Sequence, residues 1–260
     1  MPRRTFRERI EASSRKRGSN IVLALDLEYA DSHVLLSKSL EILEDVSPYV
    51  CAVKVNHHLV LPLGLYDGVK KVTAAAHALG LPAIMDCKIN DIGHTNEVIA
   101  NHYFDAGFDA VIANPFVGWE EGLAPVFKIA EMRGKGVILL TYMSHRGASE
   151  GYGQKVLNGS GLERYQYLVF AKKALMWGAD GVIVGATYPE RIQEIRSILK
   201  GKVPIYAPGV GAQGGDIKQT LEAGANYLII GRSIVSDENP VRSARLFWEA
   251  VKTHRKSVPG

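Results

Sequence analysis

The chain of 260 residues is 47% hydrophobic and 22% charged, with a formal net charge of +4 at pH 7 and two cysteines. These proportions are those of an ordinary globular protein, and they exclude a disulfide framework. No apolar stretch approaches the roughly 18 residues of a membrane-spanning helix, and the N-terminus has no apolar signal core. We therefore expect a cytoplasmic protein with no membrane partner.

The positive charge is concentrated at the N-terminus. Residues 1–18 contain seven Lys and Arg and two acidic residues, a charge of +5, and the rest of the chain sums to −1. A second basic cluster near the C-terminus comprises Lys252, Arg255 and Lys256. A basic arm can bind nucleic acid or an acidic surface. Because nothing in the body resembles a nucleic-acid-binding module, we expect residues 1–18 to be a solvated, partly helical arm packed on a catalytic domain of residues 19–260.

Short β-rich runs alternate with amphipathic helical patterns along the rest of the chain. The predicted strands are Ile21–Leu27, Val50–Val55, Pro82–Lys88, Ala110–Ala113, Gly136–Thr141, Gly181–Val184, Pro204–Ala207 and Tyr227–Ile230. The predicted helices between them include Ser32–Leu43, Tyr66–Leu79, Glu120–Arg133, Leu162–Trp177 and Pro189–Leu199. Several of these helical patterns end at glycine, as helix C-termini often do.

Eight strand–helix units in about 250 residues predict an α/β fold of one domain, a closed (β/α)8 TIM barrel. An open, doubly wound sheet is the alternative. In such barrels the chemistry lies at the C-terminal strand ends, and phosphate binds at the loops after the seventh and eighth strands. Polar residues follow the predicted strands at those ends: Asp26, Lys54, Asp86, Lys88, Asn114, Thr141, Ser144, Gln213, Gly231 and Arg232.

The run from Asp86 to Asp91 is the most informative stretch. Side chains alternate faces along a strand, so Asp86 and Lys88 are predicted to point one way and Cys87 the other. Asp91 lies just beyond the strand, where a loop can carry it to a neighbouring site. Taking charges out of water is costly, so two carboxylates around one ammonium indicate a site where charge is held in place for a reaction.

The loop after the seventh predicted strand contains a G-x-G-x-x-G pattern, Gly209 to Gly214. A dinucleotide-binding fold places this pattern on its first strand–helix unit, with an acidic residue about 20 positions later, and position 229 is isoleucine. We interpret the loop as backbone N–H groups that face a phosphate, with the helix start near Asp216 behind them. Gly231 and Arg232 follow the eighth strand, where the guanidinium can hold phosphate oxygens.

Histidines near the strand ends, His57, His58, His94 and His145, could suggest a metal site. A metal site needs two or three of them convergent, and no H-x-H or H-E-x-x-H pattern occurs. We expect no metal and no cofactor, with His94 and His145 supporting loops.

Together these motifs resemble those of orotidine 5′-monophosphate decarboxylases. D-x-K-x-x-D alone marks a wider group of barrels, but its combination with the other motifs is specific, and the resemblance spans residues 20 to 235. It is carried by Asp26, Lys54, the run from Asp86 through Asp91 and Ile92 to Thr95, Met143-Ser144-His145, the loop from Pro208 to Gly215, and Gly231-Arg232-Ser233.

The resemblance implies roles for the charged residues. Lys88 would protonate C6 of the pyrimidine as carbon dioxide leaves, Asp86 would face the substrate carboxylate, and Lys54 would bridge it to the ribose region. Asp91, with Ile92 and Thr95, would enter the site of a second subunit, so that the active unit is a homodimer.

The resemblance also implies how the substrate is bound. Asp26 would hydrogen-bond the ribose, Ser144 would contact the pyrimidine edge, and Gln213 and Arg232, beside Gly231, would hold the phosphate. The segment from Ser144 to Gly161 is predicted to be a mobile lid. The family usually has proline after M-S-H, whereas this chain has Arg146, so the resemblance does not predict the path of that loop.

Two alternatives remain at this stage. One is a magnesium-dependent sugar-phosphate lyase like 3-keto-gulonate 6-phosphate decarboxylase, which shares D-x-K-x-x-D but has an acidic residue at the position of Lys54. The other is a non-catalytic barrel that binds nucleotides, which we would expect to have lost part of the set Lys54, Asp86, Lys88 and Asp91.

Overall fold

The structure is a computed structural model that describes residues 5–28, 30–157 and 161–257, with side chains described to residue 254. Its strands are β1 (Ile21–Ala24), β2 (Ala52–Asn56), β3 (Ala83–Ile89), β4 (Ala110–Ala113), β5 (Gly136–Tyr142), β6 (Lys155–Leu157), β7 (Glu163–Tyr165), β8 (Gly181–Val184), β9 (Ile205–Pro208) and β10 (Tyr227–Ile230). Its helices are α1 (Phe6–Arg17), α2 (Ser32–Val46), α3 (His57–Leu63), α4 (Lys70–Ala78), α5 (Gly93–Asp105), α6 (Ala124–Arg133), α7 (Ala148–Gly151), α8 (Gln166–Met176), α9 (Pro189–Leu199), α10 (Ile217–Ala223), α11 (Arg232–Val235) and α12 (Pro240–Ser257).

Eight parallel strands form a closed barrel in the order β1-β10-β9-β8-β5-β4-β3-β2. The closure is direct, since β1 pairs with β2 through Val22 and Ala52 and with β10 through Ile21 and Leu228. The predicted (β/α)8 barrel is therefore confirmed, and the open sheet is wrong. All eight predicted strands correspond to barrel strands, and their apolar side chains are buried, as in parallel strands covered on both faces.

The predicted helices differ from the structure in three places. The helix predicted over Glu120–Arg133 begins at Ala124, because Glu120 and Glu121 have non-helical backbone angles. Residues 163–165, predicted as the first turn of a helix, form β7, which pairs antiparallel with β6 in a hairpin at the edge of the predicted lid. Within that lid, residues 158–160 lie outside the described part of the chain. The helix predicted from Tyr66 is preceded by α3, which Asn56 caps by accepting the His58 N–H at 2.7 Å.

The N-terminal segment packs against the N-terminal end of the barrel. Helix α1 begins with a capping box between Thr5 and Glu8, and Phe6 and Ile10 are fully buried. The ring of Phe6 takes the space beside Gly136, where an added Cβ would lie 2.5 Å from that ring. Residues 1–4 and the side chains beyond residue 254 are outside the described residues, so Arg3, Arg4, Arg255 and Lys256 are not placed.

A buried carboxylate joins α1 to the same end of the barrel. Asp109 lies 3.1 Å from Arg9, 3.2 Å from Lys135 and 2.8 Å from His77, and it accepts the Ala83 N–H at 2.9 Å. Burial alone raises the pKa of Asp109, but the hydrogen bond from His77 and the charge of Lys135 outweigh it and lower the pKa to about 2. Asp109 therefore stabilises the fold in its ionised form.

Asp109→Asn is expected to lower the free energy of unfolding at pH 7 by about 2 kcal/mol, since a pKa unit is worth about 1.4 kcal/mol. Because the folded pKa is depressed, this contribution is present above pH 4 and is lost as the pH falls towards 2. Urea unfolding of both proteins between pH 7 and pH 2.5 should show the difference shrinking with acid. A difference independent of pH would contradict the assignment.

Candidate active site

The C-terminal ends of all eight barrel strands surround one cavity of about 240 Å³. Most of the site residues predicted from the sequence line this cavity, namely Asp26, Lys54, Asp86, Lys88, Ser144, Gln213, Gly231 and Arg232. Asp91, Ile92 and Thr95 do not line it. They lie beyond β3, at the start of α5, and the side chain of Ile92 is 68% exposed.

A chain of alternating charges runs across one wall of the cavity. The Nζ of Lys54 lies 3.0 Å from Asp86 Oδ2 and 3.4 Å from Asp26 Oδ1. The Nζ of Lys88 lies 2.7 Å from Asp86 Oδ1. Asp86 therefore holds one lysine with each of its oxygens, and this fixes both ammonium groups relative to the cavity.

These contacts keep the central pair charged. Burial lowers the pKa of Lys54, which is only 4% exposed, but the charges of Asp86 and Asp26 outweigh burial and raise it. Burial raises the pKa of Asp86, but the charges of Lys54 and Lys88 outweigh that effect and lower it. Lys54 and Asp86 are therefore an ionised pair at neutral pH.

The backbone of β3 is irregular where it carries these residues. Lys88 has a φ of +47°, an uncommon conformation for a residue with a side chain, and the pairing of β3 with β4 shifts register between Met85 and Ile89. Such strain persists only where the surroundings impose it, and it is common at functional sites. Cys87 points away from the cavity, with its Sγ 3.6 Å from the Ile112 carbonyl oxygen, and burial raises the pKa of its thiol to about 12. It is therefore a poor nucleophile.

The glycine loop after β9 covers another wall of the cavity. Gly209 and Gly211 have φ values of +97° and +76°, which glycine adopts without strain. An added Cβ on Gly211 would lie 2.5 Å from the hydroxyl of Ser233, and the same hydroxyl accepts the Ala212 N–H at 2.8 Å. This loop is thereby tied to the segment after β10, next to exposed Arg232. The two predicted phosphate-binding segments therefore lie together.

Two further residues, which were not predicted from the sequence, shape the site. Asn56 lines the cavity, and its Nδ2 donates to Asp26 Oδ1 at 2.7 Å. Strand alternation could have found it, since it lies two residues beyond Lys54 on the same face. Thr187 donates its hydroxyl hydrogen bond to the Ser144 carbonyl at 2.8 Å across 43 residues, a contact with no local sequence signal.

Among the described residues, no group of three or more His, Cys, Asp and Glu side chains could hold a metal ion. None of the helices, as far as they are described, is long and apolar enough to cross a membrane. Arg146 is exposed and does not line the cavity.

The sequence pattern of the orotidine 5′-phosphate decarboxylase / HUMPS family matches residues 19–247. The chain belongs to this family. The orotidine 5′-phosphate decarboxylase of Methanosarcina barkeri is 39% identical over 227 residues, which are 87% of this chain and 92% of the relative. That of Thermococcus kodakarensis is 38% identical over 233 residues, 90% and 97% of the two chains.

Solved structures of decarboxylases in this family share the fold. The orotidine 5′-monophosphate decarboxylase of Methanocaldococcus jannaschii, complexed with the inhibitor BMP, superposes with a TM-score of 0.75 at 32% identity, covering 90% of this chain and 98% of that one. The enzyme of Pyrococcus horikoshii gives a TM-score of 0.72 at 34% identity. Helix α1 lies outside the family match, since the match begins after it at residue 19.

Proposed function

We propose that this protein converts orotidine 5′-monophosphate to UMP in pyrimidine biosynthesis, without a cofactor and with Lys88 as the proton donor to C6. The observation that carries the proposal is Asp86, which holds Lys54 and Lys88 at 3.0 and 2.7 Å on the wall of the cavity. Relatives at 35–39% identity named orotidine 5′-phosphate decarboxylase support the choice of substrate. Its place in biosynthesis fits a cytoplasmic enzyme.

The chemistry requires such a group of charges. When the bond between C6 and the carboxyl carbon breaks, carbon dioxide leaves and its bonding electrons remain on C6, in the plane of the ring. No adjacent π system delocalises that pair, so a fixed positive charge must stabilise it before a proton arrives. Lys88 supplies both the charge and the proton, and it regains a proton from solvent afterwards.

Asp86 has two roles in this proposal. It restrains the ammonium of Lys88, whose side chain is 40% exposed, because its Oδ1 holds that group at 2.7 Å. It also lies beside the position of the substrate carboxylate, so that two negative charges are brought together on binding. Loss of neutral carbon dioxide relieves that repulsion.

The rest of the cavity fits the substrate's other parts. Asp26, held by Asn56 and Lys54, is placed to accept hydrogen bonds from the ribose. Ser144 contacts the pyrimidine edge, while Gln213 and Arg232 hold the phosphate. Because the phosphate is remote from C6, its binding energy can align the ring and close loops over it.

The magnesium-dependent sugar-phosphate lyase is the weaker proposal. In that branch an acidic side chain at the position of Lys54 would share a metal with Asp86. Here the buried ammonium of Lys54 lies 3.0 Å from Asp86, and a cation in that place repels a divalent metal. A non-catalytic nucleotide-binding barrel has no need for a paired Lys54, Asp86 and Lys88.

The proposal is tested by following the ultraviolet loss of orotidine 5′-monophosphate with purified protein, in excess EDTA and again with magnesium. Rapid turnover in EDTA supports a decarboxylase that requires no accessible divalent metal. Activity on a keto-sugar phosphate with magnesium alone moves the assignment to the lyase branch. UMP binding without turnover of either substrate favours the non-catalytic barrel.

Asp91, Ile92 and Thr95 complete the site of a partner subunit in this proposal, which makes the active unit a homodimer. Homodimers of Lys88→Ala and of Asp91→Ala are each expected to be inactive, and mixing them is expected to restore activity. One site of the mixed dimer contains both an intact Lys88 and an intact Asp91. If subunits exchange and no activity returns, the shared site is wrong.

A further inference from the structure

The loop that carries Asp91 is held by the side chain of one buried amide. Asn96 lies on the first turn of α5 and is fully buried. Its Oδ1 accepts the Asp91 N–H at 3.0 Å, and its Nδ2 donates to the Asp91 carbonyl oxygen at 2.5 Å. Both backbone groups of Asp91 are therefore bonded to one side chain five residues later.

The same amide joins this loop to the next one around the barrel. The Nδ2 of Asn96 also donates to the Gly122 carbonyl oxygen at 3.0 Å. Gly93 packs so closely on this neighbouring segment that an added Cβ would lie 3.0 Å from the Glu121 carbonyl carbon. Glu121 itself has a φ of +51°, a strained conformation that its surroundings must impose. The Asp91 loop is thus clamped against a segment of fixed shape.

The clamp determines where the Asp91 carboxylate lies. Asp91 is exposed, and its Oδ1 accepts the N–H of Ile92, the next residue, at 2.7 Å. The carboxylate is thereby bonded to its own loop, so its position follows that of the loop backbone. Asn is rarely fully buried, because its amide must find hydrogen-bond partners there. Asn96 has three such bonds to two loops, which an apolar residue filling the same space would not provide.

We propose that Asn96 is the positioning residue for Asp91 in the active site of the partner subunit. This inference rests on the proposed function, in which Asp91 acts across the dimer interface. Asn96 touches no substrate itself. It acts through the Asp91 backbone. Its effect is therefore on the active site of the partner subunit and not on that of its own subunit.

Asn96→Ala is expected to lower kcat for orotidine 5′-monophosphate about 100-fold, because a displacement of about 1 Å in a catalytic group costs that much. KM should change less, since the predicted phosphate contacts lie on other loops. The matched control is Asn101→Ala on the same helix, where the amide oxygen accepts from Arg133 at 3.2 Å rather than contacting Asp91. That variant should retain wild-type kcat.

Mixing experiments separate positioning across the interface from a general loss of structure. In a mixed dimer of Asn96→Ala with Lys88→Ala, one site combines an intact Lys88 with Asp91 from a chain whose Asn96 is intact. Random pairing makes half of the dimers mixed with one competent site each, so activity should rise to about a quarter of wild type. If Asn96 instead supports its own subunit's site, activity stays low.

The parallel mixture of Lys88→Ala with Asp91→Ala distinguishes this inference from the proposed function. Recovery in that mixture but not in the Asn96 mixture overturns the role of Asn96 and leaves the shared site intact. Failure in both, with subunit exchange demonstrated, overturns the shared site and the inference together. Should Asn96→Ala fail to fold, Asn96→Ser, which leaves a smaller cavity and keeps a hydroxyl, is measured in the same mixtures with the same outcomes.

Discussion

Lys88→Ala is expected to lower kcat for orotidine 5′-monophosphate by about 100,000-fold. A positioned general acid contributes roughly 100- to 10,000-fold, and a charge fixed beside a developing anion contributes roughly 100- to 1,000-fold more. Lys88 supplies both effects, because the same Nζ that Asp86 holds at 2.7 Å faces the cavity. Single-turnover ultraviolet assays at high enzyme concentration would measure the residual rate.

The affinity for UMP separates this loss from a loss of binding. Lys88 is on β3, which is not adjacent to β9 or β10 in the barrel, so the Kd of UMP should change by no more than a few-fold. Cys87→Ala is the matched control, since it alters the adjacent residue on the opposite face of β3. A loss of kcat below about 100-fold would show that another group donates the proton.

Much of the fold could be predicted because the barrel strands are short apolar runs bounded by turn residues. The strands at Ala110–Ala113, Gly181–Val184 and Tyr227–Ile230 match the structure to the residue. The hairpin of β6 and β7 could not be predicted, since residues 163–165 continue the helical pattern of α8. Their strand conformation depends on pairing with β6, which local periodicity does not reveal.

The residues of the candidate site likewise include some that strand alternation predicts and others whose conformation or contacts the local sequence does not reveal. Alternation along a strand was enough to place Asp86 and Lys88 towards one cavity, and the same rule applied to Lys54 would have added Asn56. The positive φ of Lys88 lies within the irregular pairing of β3 and β4, and a lysine has no intrinsic preference for it. The bond from Asn96 to Gly122 joins segments 26 residues apart in sequence, and the pairing of β3 with β4 brings them together.

Asp86→Ala is expected to lower kcat strongly and also to destabilise the fold. Removing one partner of a buried ion pair leaves an uncompensated charge, which costs about 3 kcal/mol or more of the free energy of unfolding. Here the uncompensated charge is that of Lys54, whose side chain is 5% exposed. Among the described residues it would keep Asp26 alone as a charged partner, at 3.4 Å. Lys88 would lose the bond that directs it into the cavity, so kcat should fall about 10,000-fold. Urea unfolding and the ultraviolet assay measure the two effects separately.

The double variant Lys54→Met with Asp86→Leu tests whether the stability lost in Asp86→Ala is lost through the unpaired charge or through packing. Replacing a buried ion pair by apolar side chains of similar volume is often neutral or stabilising, so most of the free energy of unfolding lost in Asp86→Ala should return. Activity should not return, because Asp86, which holds Lys88 and lies beside the position of the substrate carboxylate, is absent. A double variant as unstable as Asp86→Ala would instead assign the loss to packing. The side chains of Lys54 and Asp86 would then stabilise the wall of the cavity by packing, and their charges would not be what the fold maintains for catalysis.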